Sequence, residues 1–122
     1  MRLDAAADRA THGSESVHKA YRRGRDPLRE FRVITYDFEY ISKGGERPDP
    51  VCMVWHDWET DEFHRVWQDE LKGLKEPPFP VGETTLVLTY YGGAELSCHQ
   101  VLGWQHPENL IDCHVEFRNR TN

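Results

Sequence analysis

Hydrophobic and polar positions along the chain predict a first part made of three antiparallel strands. Phe31–Tyr36 is rich in β-branched and aromatic residues, which favours a strand. Val51–Trp55 is a second short apolar run, and Glu62–Trp67 alternates polar with apolar residues, as a half-buried third strand would. Two glycines and two prolines between Ser42 and Pro50 predict a loop, and His56–Asp61 reads as a hairpin connection.

Helical and strand patterns alternate in the second part of the chain. A short helix over Asp69–Lys75 must end before Pro77, because proline cannot continue a helix. Thr84–Tyr90 is the strongest β segment, and we expect it to be a buried central strand.

The last third of the chain predicts helix, strand and helix. A helix follows Gly92–Gly93, which lack the further glycines and lysine of a phosphate-binding loop and serve to turn the strand closely into the helix. Gly103 is placed to cap its end. Asn109–Asp112 is then a brief strand, and Cys113–Arg118 begins a final helix. The whole order, β-β-β-α-β-α-β-α, predicts a mixed sheet of the α/β class.

Composition limits the kind of protein. A length of 122 residues allows one domain, and 38% hydrophobic and 11% aromatic residues supply enough apolar area for a core. No apolar run is long enough for a membrane span or a signal peptide, so we expect a cytoplasmic protein that does not bind membranes. The three cysteines form no CxxC pair, which predicts reduced thiols and no disulfide framework.

The charge is distributed unevenly along the chain, whose formal net charge is -6. Residues 1–30 carry a cluster of arginines (Arg22, Arg23, Arg25 and Arg29) and no strand-like run, which predicts a disordered or weakly helical leader. Clustered arginines could instead contact nucleic-acid phosphates. The folded domain is predicted to span residues 31–122.

Candidate chemistry begins with Asp37-Phe38-Glu39, at the end of the first strand. Strand alternation sends both carboxylates to one face and Phe38 to the other. Two anions so close repel each other unless a cation lies between them, and hard divalent ions such as Mg²⁺ and Mn²⁺ prefer oxygen ligands. The alternative is a solvated pair of acids.

Two more acids could either bind a metal ion or only stabilise a helix start. Glu95 opens the helix after the strongest strand, where it could point toward the first strand's acids or simply favour the helix start. Asp112 ends the next strand, where it could join a metal site or act as an N-cap.

Other kinds of functional site have weaker support. The adjacent pairs Cys98-His99 and Cys113-His114 lack the spacing that closes on one zinc ion. Three tryptophans could stack on bases but more often pack in a sheet, namely Trp55, Trp58 and Trp67.

A family resemblance is carried by four segments, which are Ile34–Tyr40, Leu88–Leu96, Leu102–Trp104 and Leu110–Asp112. In order and spacing they resemble the 3′ to 5′ exonuclease domain of family A DNA polymerases, a member of the DEDD superfamily. The resemblance covers roughly residues 31–122. It implies a ribonuclease H-like fold and a metal-dependent exonuclease of the proofreading type, which acts at single-stranded DNA 3′ ends.

The resemblance also implies roles for individual residues. Asp37 would ligate two divalent ions, Mg²⁺ or Mn²⁺, Glu39 would hold the first ion with its water, and Glu95 would help to hold the second. Asp112 would be a further metal ligand. Aromatic residues beside these acids would contact nucleic acid, namely Phe38, Tyr40 and Tyr91.

The sequence departs from the family pattern at two places, and both affect the expected activity. The second motif carries Glu95 where aspartate is usual, and the third motif, a Tyr-x-x-x-Asp or His-x-x-x-x-Asp, does not follow Asp112. The sequence is thus expected to be a truncated exonuclease domain, with the missing segment in a longer polymerase or nuclease. The alternative is an inactive remnant that at most binds nucleic acid or a partner chain.

Overall fold

A five-stranded open sheet forms the body of the protein in the computed structural model, which describes residues 27–121. Every strand and helix predicted from Phe31 onward is present and in the predicted order. The strands are β1 (Arg32–Ile41), β2 (Asp49–Asp57), β3 (Glu62–Trp67), β4 (Thr85–Thr89) and β5 (Leu110–Asp112). The helices are α1 (Gln68–Gly73), α2 (Gly92–Leu102) and α3 (Cys113–Thr121), and a 3₁₀ turn at Pro27–Glu30 precedes β1. The predicted leader lies outside the described residues except for this turn.

The observed bounds differ from the predicted ones mainly at β1. This strand runs to Ile41, so the Asp37-Phe38-Glu39 tripeptide lies within it and not at its end. Both β1 and β2 extend beyond their apolar runs because each pairs with the other along most of its length, from Ile34 opposite Asp57 to Ile41 opposite Asp49. Backbone pairing across the hairpin therefore sets the strand length, which hydrophobicity alone underestimates.

The sheet order is β3-β2-β1-β4-β5. β1 is antiparallel to β2 and parallel to β4, and β4 is parallel to β5. The central position belongs to β1, and this corrects the expectation that Thr84–Tyr90 would be the central strand. β4 is nevertheless internal and largely buried, as its uninterrupted apolar run predicts. The mixed sheet agrees with the predicted α/β class.

One face of the sheet carries the core. Side chains of β1, β2 and β4 pack there against α1, α2 and the segment between α1 and β4, and the largest fully buried apolar ones are Ile34, Met53, Leu71 and Val87. Phe79 inserts from the connecting segment, with its ring centroid 5.2 Å from that of Tyr36. Trp104 is also buried in this core, and its Nε1 donates a hydrogen bond of 2.9 Å to the Leu74 carbonyl.

The opposite face of the sheet is open. A shallow groove of about 610 Å³ runs over it and is lined by residues that include Asp37, Val54, Phe63, Leu88 and Tyr90. Of the three tryptophans considered for base stacking, Trp55 is buried in the core, while Trp58 and Trp67 are exposed. None of the helices between residues 27 and 121 is long and apolar enough to cross a membrane.

Candidate active site

Asp37 and Glu39 come from the central strand. Both side chains are exposed, and the residues on either side of Asp37, Tyr36 and Phe38, are buried. This alternation places the two acids on the open face, as predicted. The pairing of β1 with β2 is irregular directly after Glu39, between Glu39 and Tyr40.

Glu95 lies in the first turn of α2, and only 2% of its surface is exposed. Burial raises the pKa of this carboxyl above its usual range, and the negative charge of nearby Asp37 raises it further. The Glu95 and Phe38 backbone N–H groups and the Thr89 hydroxyl act in the other direction without cancelling the shift. Glu95 Oε2 nevertheless makes no well-formed hydrogen bond within the described part of the chain. The carboxylate thus carries unsatisfied acceptor capacity beside a second acid.

The Glu95 side chain lies near enough to β1 for the charge of Asp37 to act on its carboxyl. Glu39 is not among the groups that shift the pKa of Glu95. Between residues 27 and 121, no three His, Cys, Asp or Glu side chains lie close enough together to hold a metal ion. The four-acid ligand set remains a prediction.

The chemistry of this pair fits a hard cation. The negative charge of Asp37 lies near the buried Glu95 carboxyl, so a positive charge beside Glu95 would be favourable. The orphaned Glu95 Oε2 is an oxygen donor of the kind that Mg²⁺ and Mn²⁺ prefer. A first ion held by Asp37 and Glu95 is therefore compatible with the described residues. A complete two-metal site would need further ligands to move toward this pair.

Asp112 has a structural role in the described residues. Its carboxylate accepts backbone hydrogen bonds at the start of α2, from Tyr91 (3.2 Å) and Gly92 (2.7 Å). It also accepts hydrogen bonds at the start of α3, from the backbone N–H groups of His114 (2.9 Å) and Val115 (3.2 Å). Partial burial opposes the charge of Asp112, but these four donors outweigh it and hold its pKa below the usual range.

The N-cap interpretation of Asp112 accounts for its environment. One side chain satisfies free N–H groups at two helix starts, which is the work that aspartate does at an N-cap. A metal role for Asp112 would compete with these four donors.

The turn from β4 into α2 sets the position of Glu95. A Cβ on Gly92 would lie 3.2 Å from a Thr89 side-chain atom and 3.3 Å from Asp112 Oδ2, so a larger residue does not fit there without movement. This agrees with the predicted close strand-to-helix turn at Gly92, whereas a Cβ on Gly93 would meet nothing within 4 Å. The helix then ends at Gly103, whose φ of 70° is left-handed, as predicted for its cap.

The three residues expected to contact nucleic acid have different environments. Phe38 is 4% exposed and packs among Tyr36, His99 and Trp104, so its side chain belongs to the core and not to an exposed surface. This corrects its assignment, and the physical reason is the strand alternation that turns Phe38 away from Asp37. Tyr40 and Tyr91 are exposed.

Sequence reasoning missed two residues beside the acids. Tyr90 is exposed and lines the open groove together with Asp37, and the His114 ring lies 5.3 Å from the rings of both Tyr90 and Tyr91. The available signal was the Tyr-Tyr pair at the end of a strongly apolar strand, where two successive aromatic side chains cannot both enter the core.

The burial of Glu95 leads to a pH-dependent stability prediction. A pKa raised by folding stabilises the folded state below the unfolded pKa, and this stabilisation is lost as the pH rises through the folded pKa. Glu95→Gln removes the ionisation, so we expect a melting temperature about 5 °C above wild type at pH 8, from about 1 kcal/mol of avoided desolvation. The difference should shrink toward pH 4.

Differential scanning fluorimetry between pH 4 and pH 8 measures this effect. Glu83→Gln, at an exposed position just before β4, is the matched control and should show no such pH-dependent gain. A Glu95→Gln variant that melts below wild type at pH 8 would show that the carboxylate stabilises the fold in its ionised form.

Comparison with known proteins finds solved structures with a similar fold. No family model and no curated protein matches this chain. The structure is similar to the crystal structure of the Aedes aegypti Nibbler EXO domain, with a TM-score of 0.51, 10% sequence identity and coverage of 88% of this chain. The match covers 51% of the Nibbler chain, so this chain spans about half the length of that neighbour.

A second neighbour is Escherichia coli RNase D, an exoribonuclease involved in structured RNA processing. It matches with a TM-score of 0.48 and 19% identity, over 84% of this chain and 24% of the RNase D chain. At these identities the likeness concerns the fold, and the narrower assignment to family A DNA polymerases stays a prediction. The protein is a mixed α/β domain with a five-stranded open sheet, and its fold is similar to that of the Nibbler EXO domain.

Proposed function

We propose that this domain is a nuclease that removes nucleotides from the 3′ ends of nucleic acid with the help of Mg²⁺ or Mn²⁺. The observation that carries the proposal is the buried Glu95 carboxyl, whose Oε2 has no hydrogen-bond partner among the described residues and which lies near the exposed Asp37 of β1. The similarity of the fold to an EXO domain supports the same conclusion.

Each acid has an environment suited to a separate task. Asp37 is exposed in the open groove and can reach both a cation and a phosphate. Glu95 is fixed by the turn at Gly92 and by burial, which strengthens its interaction with any cation beside it. A divalent ion bound here would polarise the scissile phosphate and lower the pKa of a bound water. Glu39, on the same face as Asp37, is the third ligand of the proposal.

Single-stranded DNA 3′ ends are the proposed substrate, as the resemblance to proofreading domains implies. An acidic chain with a net charge of -6 repels phosphates over most of its surface, so the cations at the site would supply much of the attraction. We further propose that a polymerase or nuclease segment supplies the third acidic motif when the domain works in a longer chain. The competing function is a domain that binds nucleic acid or a partner chain without hydrolysing it.

The experiment that tests the proposal is release of mononucleotides from a 3′-labelled single-stranded oligonucleotide. We expect release with Mn²⁺ and none with EDTA, and parallel DNA and RNA substrates identify the preferred sugar. Undetectable release from both substrates with both metals would leave the non-hydrolysing function.

Metal binding itself should be visible in the stability of the protein. A ligand that binds only the folded state stabilises it by about 2.7 kcal/mol at a hundredfold excess over its Kd, which corresponds to roughly 10 °C in melting temperature. We therefore expect Mn²⁺ or Mg²⁺ to raise the melting temperature, and Asp37→Ala combined with Glu39→Ala to abolish the rise. Equal thermal shifts in wild type and the double variant would remove the metal site.

A further inference from the structure

We propose that Tyr90, Tyr91 and His114 form a base-stacking platform that holds a nucleobase of single-stranded nucleic acid beside the acids. This inference rests on the proposed function, because it supplies the substrate contact of the same site. It adds a surface of aromatic rings that binds the base, whereas the acids would bind only the metal ion and, through it, the phosphate.

The three rings form one cluster at the carboxyl end of β4, in which both tyrosines are exposed and His114 is partly buried. Tyr90 is 63% exposed and Tyr91 is 60% exposed. The His114 ring lies 5.3 Å from each tyrosine ring, at interplanar angles of 73° and 57°. His114 Nδ1 is 3.2 Å from the Tyr90 hydroxyl, which links α3 to the end of β4. The cluster is therefore organised, although its tyrosine rings face solvent.

The backbone at Tyr91 is held in a conformation that side chains disfavour. Its φ is 71° and its ψ is 56°, in the left-handed region where glycine is the usual residue. Asp112 fixes this conformation by accepting a hydrogen bond from the Tyr91 N–H. A tyrosine in a glycine-like position gains nothing from core packing here, because its ring is exposed. Such strain at an exposed aromatic residue is typical of a binding site.

The platform borders the proposed active site. Tyr90 lines the same groove as Asp37. Tyr90 directly follows Thr89, whose hydroxyl influences the pKa of Glu95. Tyr91 directly precedes α2, the helix that carries Glu95. A base on these rings would thus belong to a nucleotide at or next to the phosphate between the acids.

Aromatic stacking suits this acidic protein. Every nucleobase has a π face, so rings attract bases without positive charge and with little sequence preference. Removal of one stacking ring typically weakens binding by roughly five- to a hundredfold. Single strands expose their bases for such contacts, whereas a paired duplex does not. The platform therefore predicts selection of single-stranded ends, from DNA or RNA alike.

Binding of fluorescein-labelled oligonucleotides to the full 122-residue chain, in EDTA at low salt, tests the platform without cleavage. The probes are dT12, rU12 and an abasic DNA 12-mer, which has the phosphates but no bases. We expect Tyr91→Gly and Tyr90→Ala each to weaken binding of dT12 or rU12 about tenfold and to leave binding of the abasic strand unchanged. Tyr90→Phe and Tyr91→Phe should retain most of the affinity.

Tyr91→Gly separates binding from folding. Glycine relieves the left-handed strain, so the melting temperature of this variant should equal or exceed that of wild type while its affinity falls. Phe117→Ala is the matched control, because it removes a ring of α3 that is similarly exposed, at 60%, and its affinity should be unchanged.

Three results would overturn the platform. They are no saturable binding of dT12 or rU12 by wild type, unchanged affinity in both tyrosine variants, and an equal loss of affinity for the abasic strand. The nuclease proposal fails separately, since tyrosine-dependent binding without mononucleotide release would retain the platform and reject the enzyme.

Discussion

Asp37→Asn is expected to lower Mn²⁺-dependent mononucleotide release by about a thousandfold. The substitution exchanges a charged oxygen ligand for a neutral amide at the point where a cation and the substrate would meet, and single charge-stabilising groups in active sites contribute effects of this size. Because the Asp37 side chain is exposed, the melting temperature should stay within about 2 °C of wild type, as for other exposed substitutions. A 3′-labelled oligonucleotide assay, run beside a thermal melt, measures both.

The control for this result is a second exposed acid on the sheet. Glu62→Gln changes the charge by the same amount at the start of the edge strand β3 and should leave the rate unchanged. Glu95→Gln should reduce the rate as strongly as Asp37→Asn, although it is expected to stabilise the fold. A rate that survives Asp37→Asn would show that another residue carries the chemistry.

Asp112→Ala is expected to lower the melting temperature by about 15 °C. Its carboxylate caps α2 and α3 together, and loss of one N-cap typically costs 0.5–2 kcal/mol, so the double loss is about 3 kcal/mol. For a domain of this size each kcal/mol corresponds to roughly 4–8 °C. Circular dichroism melts at pH 7 measure the effect.

Asp112→Asn is the matched variant, because asparagine keeps one oxygen acceptor in nearly the same shape. We expect it to lose less than half as much stability as Asp112→Ala. The folded pKa of Asp112 is below its usual range, so its stabilisation is present above about pH 4 and is lost as the pH falls through the folded pKa. A penalty for Asp112→Ala that is equal at pH 7 and pH 2.5 would contradict the capping account.

Local patterns predicted the elements of the fold well. β3 occupies Glu62–Trp67 in both the prediction and the structure, because strict alternation and flanking turn residues define both of its ends. The end of α2 at Gly103 was predictable for a similar reason, since a glycine in the left-handed region terminates the helix. The central place of β1 was not predictable, because sheet order depends on pairing between segments distant in sequence.

The site was predictable only in part. The sequence left open whether Glu95 points toward the acids of β1 or only favours the helix start. The burial of Glu95 depends on the apolar residues around it, such as Tyr36 and Cys98. Asp112 could not be assigned from sequence, because a helix cap and a metal ligand both require a carboxylate. The buried side of α2 carries the polar residues Glu95 and His99 beside Cys98, and hydrophobic periodicity does not indicate buried polar residues.

The sheet order has a consequence for how the two acids come together during folding. β1, β2 and β3 follow one another in the chain and pair as neighbours, so Asp37 belongs to a meander of short loops. Glu95 belongs to the β4–α2 segment, which reaches β1 only through a contact between residues about 50 positions apart. Such distant pairing is slower to form and costs more chain entropy. A partly opened state that releases β4 would therefore keep the meander and separate Asp37 from Glu95. The proposed activity would then be lost while most of the secondary structure remained.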